Sequence, residues 1–464
     1  MTLEACDVAV VGGGVIGRSV AAELAAGGAK VTVVEQGGVT HGTSLGNAGH
    51  LVPSHIVPFS APGMVKAGIN SLLARNGAFA ISMRVVPGIA GWLWQFSRSA
   101  NAQNVQRGMP ILKYMLDNTV AGVGELRAAG ADVDFIPTGL LQIASSPKSW
   151  EGVRHEMEEW RHQGVRAREL DAEQVLQHEP LLRPGIRGGV LLEDDACFDP
   201  TLLVAALTQR GASLGVTEVN GSVLTIDRVK GGVVVQTSAG PLRAAQVVVA
   251  AGVWSPRLLE RFGIKVPVRP ARGDSVTVPY GPGVPKPSLG MMMVDQKVAL
   301  SPLSKGLRIT GRFGLTSPAD RGLNMARAHT LIRKVSSVLE LDPATKPQDV
   351  WTGLRPATPD GLPLLGRLPG APEVIASVGH GMLGSTTSIG SAKLVAAVVS
   401  GNQPAVDIAA LSPARFTRKA RDCAEPSRRE ALYRMAVASG IGARHQSQNR
   451  KSSSSGAVPV LVSK

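Results

Sequence analysis

Val8-Ala9-Val10-Val11-Gly12-Gly13-Gly14-Val15-Ile16-Gly17 and, a little further on, Lys30-Val31-Thr32-Val33-Val34-Glu35 decide how this chain is read. Val8 to Val11 is a short apolar run of the kind buried on both faces of a parallel sheet. Glycines follow at once, Arg18 to Ala26 reads as a helix, and Lys30 to Val34 is a second strand that ends in an acid. Gly12 permits a tight turn, Gly14 lets the backbone approach a pyrophosphate, and Gly17 lets the helix pack on the strand. Val15 and Ile16 stand where the helix N-terminus offers unpaired N–H groups and partial positive charge to phosphates. Glu35, 18 residues past the last glycine, is placed to accept ribose hydroxyls and would repel a 2′-phosphate, which argues against NADP. A lone G-x-G-x-x-G is a weak signal in a glycine-rich chain. Here strand, turn, helix, strand and acid coincide, and together they predict a dinucleotide site without separating FAD from NAD.

The rest of the composition is consistent with a folded globular protein. Of 464 residues 44% are hydrophobic and 18% charged, enough apolar material for a sizeable core. Fifty-four glycines with no Gly-X-Y period point to tight turns and close backbone approaches rather than collagen. Eight of the 14 formal positive charges fall in the segment 412–464, so the high pI needs no nucleic-acid groove in the body. That basic tail reads as a solvated, disordered extension, with Ser452 to Ser455 of low complexity. Cys6, Cys197 and Cys423 have neither metal-ligand spacing nor the number for a disulfide framework, so no metal is expected and a reducing, cytoplasmic setting fits. The acidic N-terminus lacks the basic start of a secretory signal. No uncharged apolar stretch is long enough to span a bilayer, which leaves peripheral contact with the inner face of the cell membrane open.

His41-Gly42-Thr43-Ser44-Leu45-Gly46-Asn47-Ala48-Gly49 is small, polar and turn-forming, able to run its backbone along an extended ligand. It resembles the Gly-(Thr/Ser)-Ser-x-x-Asn-Ala-Gly signature of the D-amino-acid oxidase-like superfamily of FAD oxidoreductases. His50 to Met64 is similar to the bacterial D-amino-acid dehydrogenase branch, with His50 standing where that branch more often has glutamine. Three later blocks agree with the superfamily. Asp199-Pro200 starts a helix leading to an adenine-side strand at Val216 to Val219. Val247 to Ser255, with Gly252 and Trp254, resembles a flavin-contacting strand and turn. Trp351 to Gly366 contains Arg355-Pro356-Ala357-Thr358-Pro359-Asp360-Gly361, and Gly379-His380-Gly381-Met382-Leu383-Gly384 follows it ahead of a helix from Ser388 to about Ser400.

The resemblance implies FAD held non-covalently, with Gly12, Gly14, Val15, Ile16, Gly17, Glu35, Ser44, Asn47, Ala48, Gly49, Val219, Gly252, Trp254, Gly379, His380, Gly381 and Gly384 around it. Attachment through His41 or His50 stays open. It also implies that Arg355 clamps a substrate carboxylate, for which a guanidinium fork that keeps its charge is well suited. His55 is a candidate polar residue of the substrate cavity. No catalytic residue is assigned, since an amine can lose its proton to solvent before hydride leaves Cα. His380 is read either as a flavin contact or as a packed histidine. Tyr114 and Tyr280 are the body's only tyrosines, and neither falls in a motif.

Three functions follow as alternatives. The first is an FAD-dependent dehydrogenase for D-amino acids, cyclic ones such as D-proline or D-hydroxyproline included, that passes electrons to a quinone or an electron-transfer protein. The second is an oxidase of the same fold, for glycine, sarcosine or a D-amino acid, that releases peroxide. The third is a non-catalytic FAD-binding subunit. The expected architecture is α/β: a discontinuous Rossmann-like FAD-binding domain (1–75, 195–270 and 350–411) plus an α+β substrate domain (76–194 and 271–349) with a mainly antiparallel sheet. Strands are expected at 134–144, 188–193, 274–278, 290–298 and 308–313, and helices at 109–129 and 150–163.

Overall fold

In the computed structural model the opening apolar run is the strand Cys6–Val11, with parallel neighbours on both sides, Val31–Glu35 and Gly240–Val249. Val10 lies opposite Val33 on one side and Val248 on the other, and all three are buried. Burial on both faces is why Val8 to Val11 reads as an unbroken apolar run rather than as alternation. The structure describes residues 3–37, 42–63, 65, 79–81, 86–320 and 322–417, which belong to one compact unit. His41 and the tail from 418 onward, with the roles the sequence suggests for them, lie outside the described residues.

Among the described residues eight strands make the first sheet. Its main path runs Val223–Val229, Gly232–Thr237, Gly240–Val249, Cys6–Val11, Val31–Glu35, Thr217–Asn220. Ala371–Val378 joins parallel to Gly240–Val249, and Leu364–Leu368 pairs with it in turn. One face packs on the helices Val15–Ala26, Ala102–Ala128 and Ser388–Ser400 through Val8, Val10, Leu24, Met115 and Val395. The last two helices approach closely because Gly390 lies against the Met115 backbone and Gly122 against Ile389, where a Cβ would collide.

Among the described residues nine strands make the second sheet, with main path Asp349–Ala357, Arg269–Val278, Gly306–Leu315, Val298–Leu303, Gly290–Met293, Leu140–Ala144, Gly188–Leu192, Ala167–Asp171. Its pairs are antiparallel except where Gly290–Met293 meets Leu140–Ala144 and where Phe79–Ile81 meets Gly306–Leu315. Helix Met325–Ser336 covers one face through Leu331, Ile332 and Val335, which share a core with Val276, Ile309 and Met291. The α/β fold with a mainly antiparallel second sheet is as the sequence predicts.

Several boundaries differ. Residues 350–357, grouped by sequence with the first sheet's pieces, pair along Arg269–Val278 in the second sheet, with Arg355 opposite Ala271. The expected strand 290–298 is two strands around a turn, with Lys297 at φ 56°. The strand expected from 134 starts only at Leu140, after Asp134 (φ 49°) and Gly139 (φ 81°) take left-handed conformations. The helix expected from 109 starts at Ala102, because Asn101 caps it by accepting the Asn104 N–H at 3.0 Å.

Candidate active site

The glycine turn works by exclusion. At φ 106°, Gly12 is left-handed, and a Cβ there would lie 2.6 Å from the Ala250 carbonyl oxygen. A Cβ on Gly17 would fall onto the Gly12 carbonyl oxygen, so the helix Val15–Ala26 sits close to the strand only because Gly17 has none. Gly14 is the N-cap of that helix and makes no side-chain cap bond, which leaves the helix end open to an anion. The Val15 N–H donates to Ser44 Oγ at 3.0 Å, docking the polar loop onto the helix start. Glu35 accepts the Gly13 N–H at 2.6 Å and the Gly37 N–H at 3.1 Å, one at each carboxylate oxygen. Lone pairs remain for ribose hydroxyls.

From this turn a cavity of about 630 Å³ runs toward the second sheet, within the range usual for ligand sites. Gly12, Gly14, Val15, Ile16 and Glu35 line its first end, Ser44 and Asn47 its flank, Gly252 and Trp254 one wall. Gly379, His380, Gly381, Gly384 and Arg355 line the far end. The structure thus brings together residues as far apart in the chain as Gly12 and Gly384.

Second-sheet residues hold the loop 43–50 in place. Thr43 Oγ1 donates to the Leu354 carbonyl (3.1 Å), Arg308 Nη1 to the carbonyls of Leu45 (2.9 Å) and Asn47 (3.2 Å), and Ser301 Oγ to that of Ala48 (2.7 Å). Trp351 lies between Gly46 and Gly353, where a Cβ on either glycine would overlap its indole. These ties explain why Ala48 and Gly49 are off the cavity wall. Ala48 turns its carbonyl to Ser301, and Gly49 (φ 80°) fits against the Phe198 carbonyl.

Arg355 ends the cavity. Its Nη1 donates to the Arg312 carbonyl at 3.1 Å, and among the described residues no carboxylate pairs with it. Burial lowers it to about 10, opposed by the attraction of Asp274, so it remains a cation at neutral pH. The room for its fork comes from Gly273 on the neighbouring strand, where a Cβ would overlap the guanidinium. Asp274 is engaged elsewhere, by Arg272 (3.0 Å) and by the Thr352 hydroxyl (2.8 Å). A buried cation without its own counter-ion is costly, and an anionic ligand would relieve that cost.

His380 combines a place on the cavity wall with a packed ring. Its ring meets Ser391 Oγ at 3.1 Å, and burial lowers it to about 3, so it stays neutral. His50, a candidate flavin attachment point, is off the wall: its Nε2–H donates to the Leu300 carbonyl at 3.0 Å and burial lowers it to about 4. His55 is also off the wall, with Nδ1 bonded to Ser54 Oγ at 3.0 Å. Val219 pairs with Val34 and packs in the first sheet's core, while Gly221 and Val223 just beyond it reach the cavity. Neither Tyr114 nor Tyr280 lines the cavity. Sequence reading missed Trp351, Ser377, Met382 and Arg257 on the wall. Trp351 and Met382 lie inside blocks the motif had marked, whereas Ser377 and Arg257 carry no local signal.

These features suit an extended ligand with an anionic centre at one end. The open helix N-terminus accepts a pyrophosphate, and at Gly252 (φ 53°) and Gly381 (φ 56°) a Cβ would meet nothing within 4 Å, so bare backbone faces the open space. Ser377 Oγ, on the wall, is buried with no partner among the described residues. No group of three or more His, Cys, Asp or Glu among the described residues is arranged to hold a metal ion.

Comparison with known proteins agrees with this geometry. Residues 7–398 match the family described as DAO, FAD dependent oxidoreductase. The chain is 32% identical over 426 residues to the D-amino acid dehydrogenase of Bradyrhizobium diazoefficiens, covering 89% of this chain and 99% of that protein. It is 33% identical over 436 residues to the D-amino acid dehydrogenase of Cereibacter sphaeroides, covering 89% and 97%. The crystal structure of glycine oxidase from Geobacillus kaustophilus superposes with a TM-score of 0.68 at 26% identity, covering 90% of this chain and 100% of that one.

Proposed function

This chain belongs to the DAO family of FAD-dependent oxidoreductases, and from that premise we propose that it oxidises D-amino acids, cyclic ones included, and passes their electrons to a quinone or an electron-transfer protein. Arg355 carries the reading: an unpaired guanidinium, fixed on the Arg312 carbonyl at the end of the cavity, takes a carboxylate bidentately and sets the orientation of its Cα. Bound along the cavity, FAD supplies the acceptor for the hydride leaving Cα. The chain's own residues do the rest. The helix start and Glu35 hold the nucleotide half, Gly252, Trp254, Gly379, Gly381 and Gly384 form the wall around the flavin half, and Arg355 holds the substrate. Loss of the hydride from Cα and a proton from nitrogen turns the substrate into an imino acid, whose C=N bond water hydrolyses to a 2-oxo acid, with release of ammonia from a primary amine. A purely structural FAD subunit has no use for Arg355.

Anaerobic bleaching of the purified flavoprotein by a panel of D- and L-amino acids tests this reading. Bleaching by D-amino acids, with L-enantiomers much slower, is expected; bleaching by neither, in protein that carries flavin, would overturn it. A second reading, an oxidase using oxygen, draws on the likeness to glycine oxidase. Substrate added in air then distinguishes the two, since stoichiometric peroxide marks the oxidase and dye or quinone reduction without it marks the dehydrogenase. No described helix is long and apolar enough to cross a membrane, so a membrane quinone would be met by peripheral contact.

A further inference from the structure

Among the described residues, Arg312 (φ 68°) is the only residue other than glycine that is left-handed inside a strand, and its carbonyl is the group that holds Arg355. The register explains where it falls. Gly311 lies opposite Asp274 and Gly314 opposite Arg272, so Arg312 and Phe313 together face the single residue Gly273. Two residues against one make a β-bulge, of the form that ordinarily puts glycine at the left-handed position. A side chain makes that conformation costly, and it persists only where the surroundings fix it. Its product is the geometry of the clamp. The Arg312 carbonyl accepts Arg355 Nη1–H at 3.1 Å, while the guanidinium fills the place a Cβ would take on Gly273.

The groups that fix the bulge lie on the other face of the sheet. Side chains alternate along a strand, so Arg272 and Asp274 point away from the face on which the guanidinium covers Gly273. They are the two residues with which the ends of the bulge pair, and they bond to each other, Arg272 Nε donating to Asp274 Oδ1 at 3.1 Å. Thr352, opposite Asp274 in the strand of Arg355, completes a triangle. Its hydroxyl donates to Asp274 Oδ1 at 2.8 Å and accepts Arg272 Nη2–H at 3.0 Å. Arg272 also donates to Asp320 Oδ1 at 2.5 Å and to the Gly322 carbonyl at 2.8 Å, and the Thr316 hydroxyl holds Asp320 in turn at 2.7 Å. One buried guanidinium therefore ties together its own strand, the strand of Arg355 and the loop that follows the bulge.

We propose that Arg272, Asp274 and Thr352 are positioning residues: they lock the Arg312–Phe313 bulge, and the locked bulge holds the Arg355 fork at the cavity wall for a substrate carboxylate. The inference rests on the amino-acid reading above and adds to it the means by which the clamp is aimed. The arrangement also separates two tasks. A carboxylate beside Arg355 on the cavity face would pair with it and fill the substrate's place. Asp274 instead stands behind the strand, engaged by Arg272 and Thr352, and attracts Arg355 only from a distance. Its Oδ2 accepts no hydrogen bond among the described residues and lies 4.0 Å from Arg327 Nη1. The clamp is steadied by a counter-charge without being occupied by one.

Steady-state kinetics, flavin content and melting temperature of the holoenzyme test the lock in T352V, T352S, R272K, R355A and the double variant T352V/R355A. The substrate is a D-amino acid that bleaches the wild-type flavin. T352V removes the hydroxyl but little volume, and R272K keeps the charge but loses the fork that reaches three partners. KM should rise about fivefold in T352V and about tenfold in R272K with flavin content unchanged, and T352S should restore the wild-type value. Because the lock acts through Arg355, T352V should add nothing to the loss of kcat/KM in R355A. Multiplied losses in the double variant overturn the proposal. Unchanged KM in both T352V and R272K also overturns it, whatever happens to the melting temperature, since that marks a merely structural role. Should R272K fail to fold, T352V, T352S and the double variant decide alone. Flavin-bearing wild type that no amino acid bleaches, or R355A with unaltered KM, overturns the amino-acid reading and takes the lock with it. Failure of the lock alone is distinct, because R355A then behaves as expected and T352V does not.

Discussion

The two ends of the cavity are built in opposite ways. At the nucleotide end, strand, glycine turn, helix and Glu35 come from one stretch of 30 residues, and Gly12 and Gly17 are required because backbone meets backbone. At the other end, where the proposed function puts the substrate, Arg355 is set by three separate segments: its own strand, the Arg312 carbonyl and the bare Cα of Gly273. The first end is local chain geometry. The second is a register, in which Gly273 faces Gly353 and so makes space for a side chain two residues away. Damage at the first end should therefore cost fold and cofactor together, and damage at the second should cost substrate binding alone.

Gly17→Val should have the largest effect. Its side chain would occupy the place of the Gly12 carbonyl, separating helix from strand, at a cost of more than ~3 kcal/mol. The expected result is little soluble protein and no bound flavin, read by absorbance and melting temperature. Arg355→Ala comes next: a charge-assisted contact worth about 1.5–3 kcal/mol is lost, so KM rises at least about tenfold while flavin content is unchanged. Full flavin occupancy with unaltered KM would place the substrate elsewhere and break the comparison.

Gly273→Ala sharpens it further. The added methyl displaces the Arg355 fork without removing its charge, so KM should rise by a smaller factor than in Arg355→Ala, again with normal flavin content. An equal loss of flavin in Gly273→Ala would mean that the second end is not independent of the first. At the nucleotide end, Ser44→Ala removes the acceptor of the Val15 N–H. It should cost about 1 kcal/mol and weaken FAD binding a few-fold, measured by fluorescence titration.

Acid should act on the whole molecule. His50, His55 and His380 are lowered by burial to about 4, 4 and 3, so the folded state holds them neutral where the unfolded chain, near the ordinary value of about 6.5, protonates. Their contribution is present above about pH 6.5 and is lost as pH falls toward 4. Asp195, raised to about 7, acts oppositely, since the folded state keeps its proton and gains stability as pH falls from about 7 toward 4. Three groups outweigh one, so the melting temperature should fall between pH 6.5 and 4, and His380→Asn should make that fall shallower.

Legibility in the sequence tracks the same contrast. Cys6–Val11, Val15–Ala26 and Val31–Glu35 could be read because their hydrophobic runs and glycines are consecutive. The helix Ser388–Ser400 and the cap at Asp199, which accepts the Thr201 N–H at 2.8 Å, were legible for the same reason. Arg355 was legible only through its motif. Nothing near it in the chain announces Gly273, Arg312 or the second-sheet ties from Arg308 and Ser301 to the 45–48 loop. Val219 itself is off the cavity wall, which Gly221 and Val223 reach, because a strand read from its valines does not say which end faces the cavity.

Sequence alone determined the opening strand, glycine turn, helix and second strand, since backbone turns, helix polarity and the acid at Glu35 depend on neighbours within a few residues. Only the tertiary structure decided which histidines leave the cavity wall, which sheet carries Arg355, and that Ser54, His55 and Asp195 share one buried chain of hydrogen bonds. Strand register and burial set those facts. Both arise from contacts between segments far apart in the chain, which no local pattern of residue types encodes.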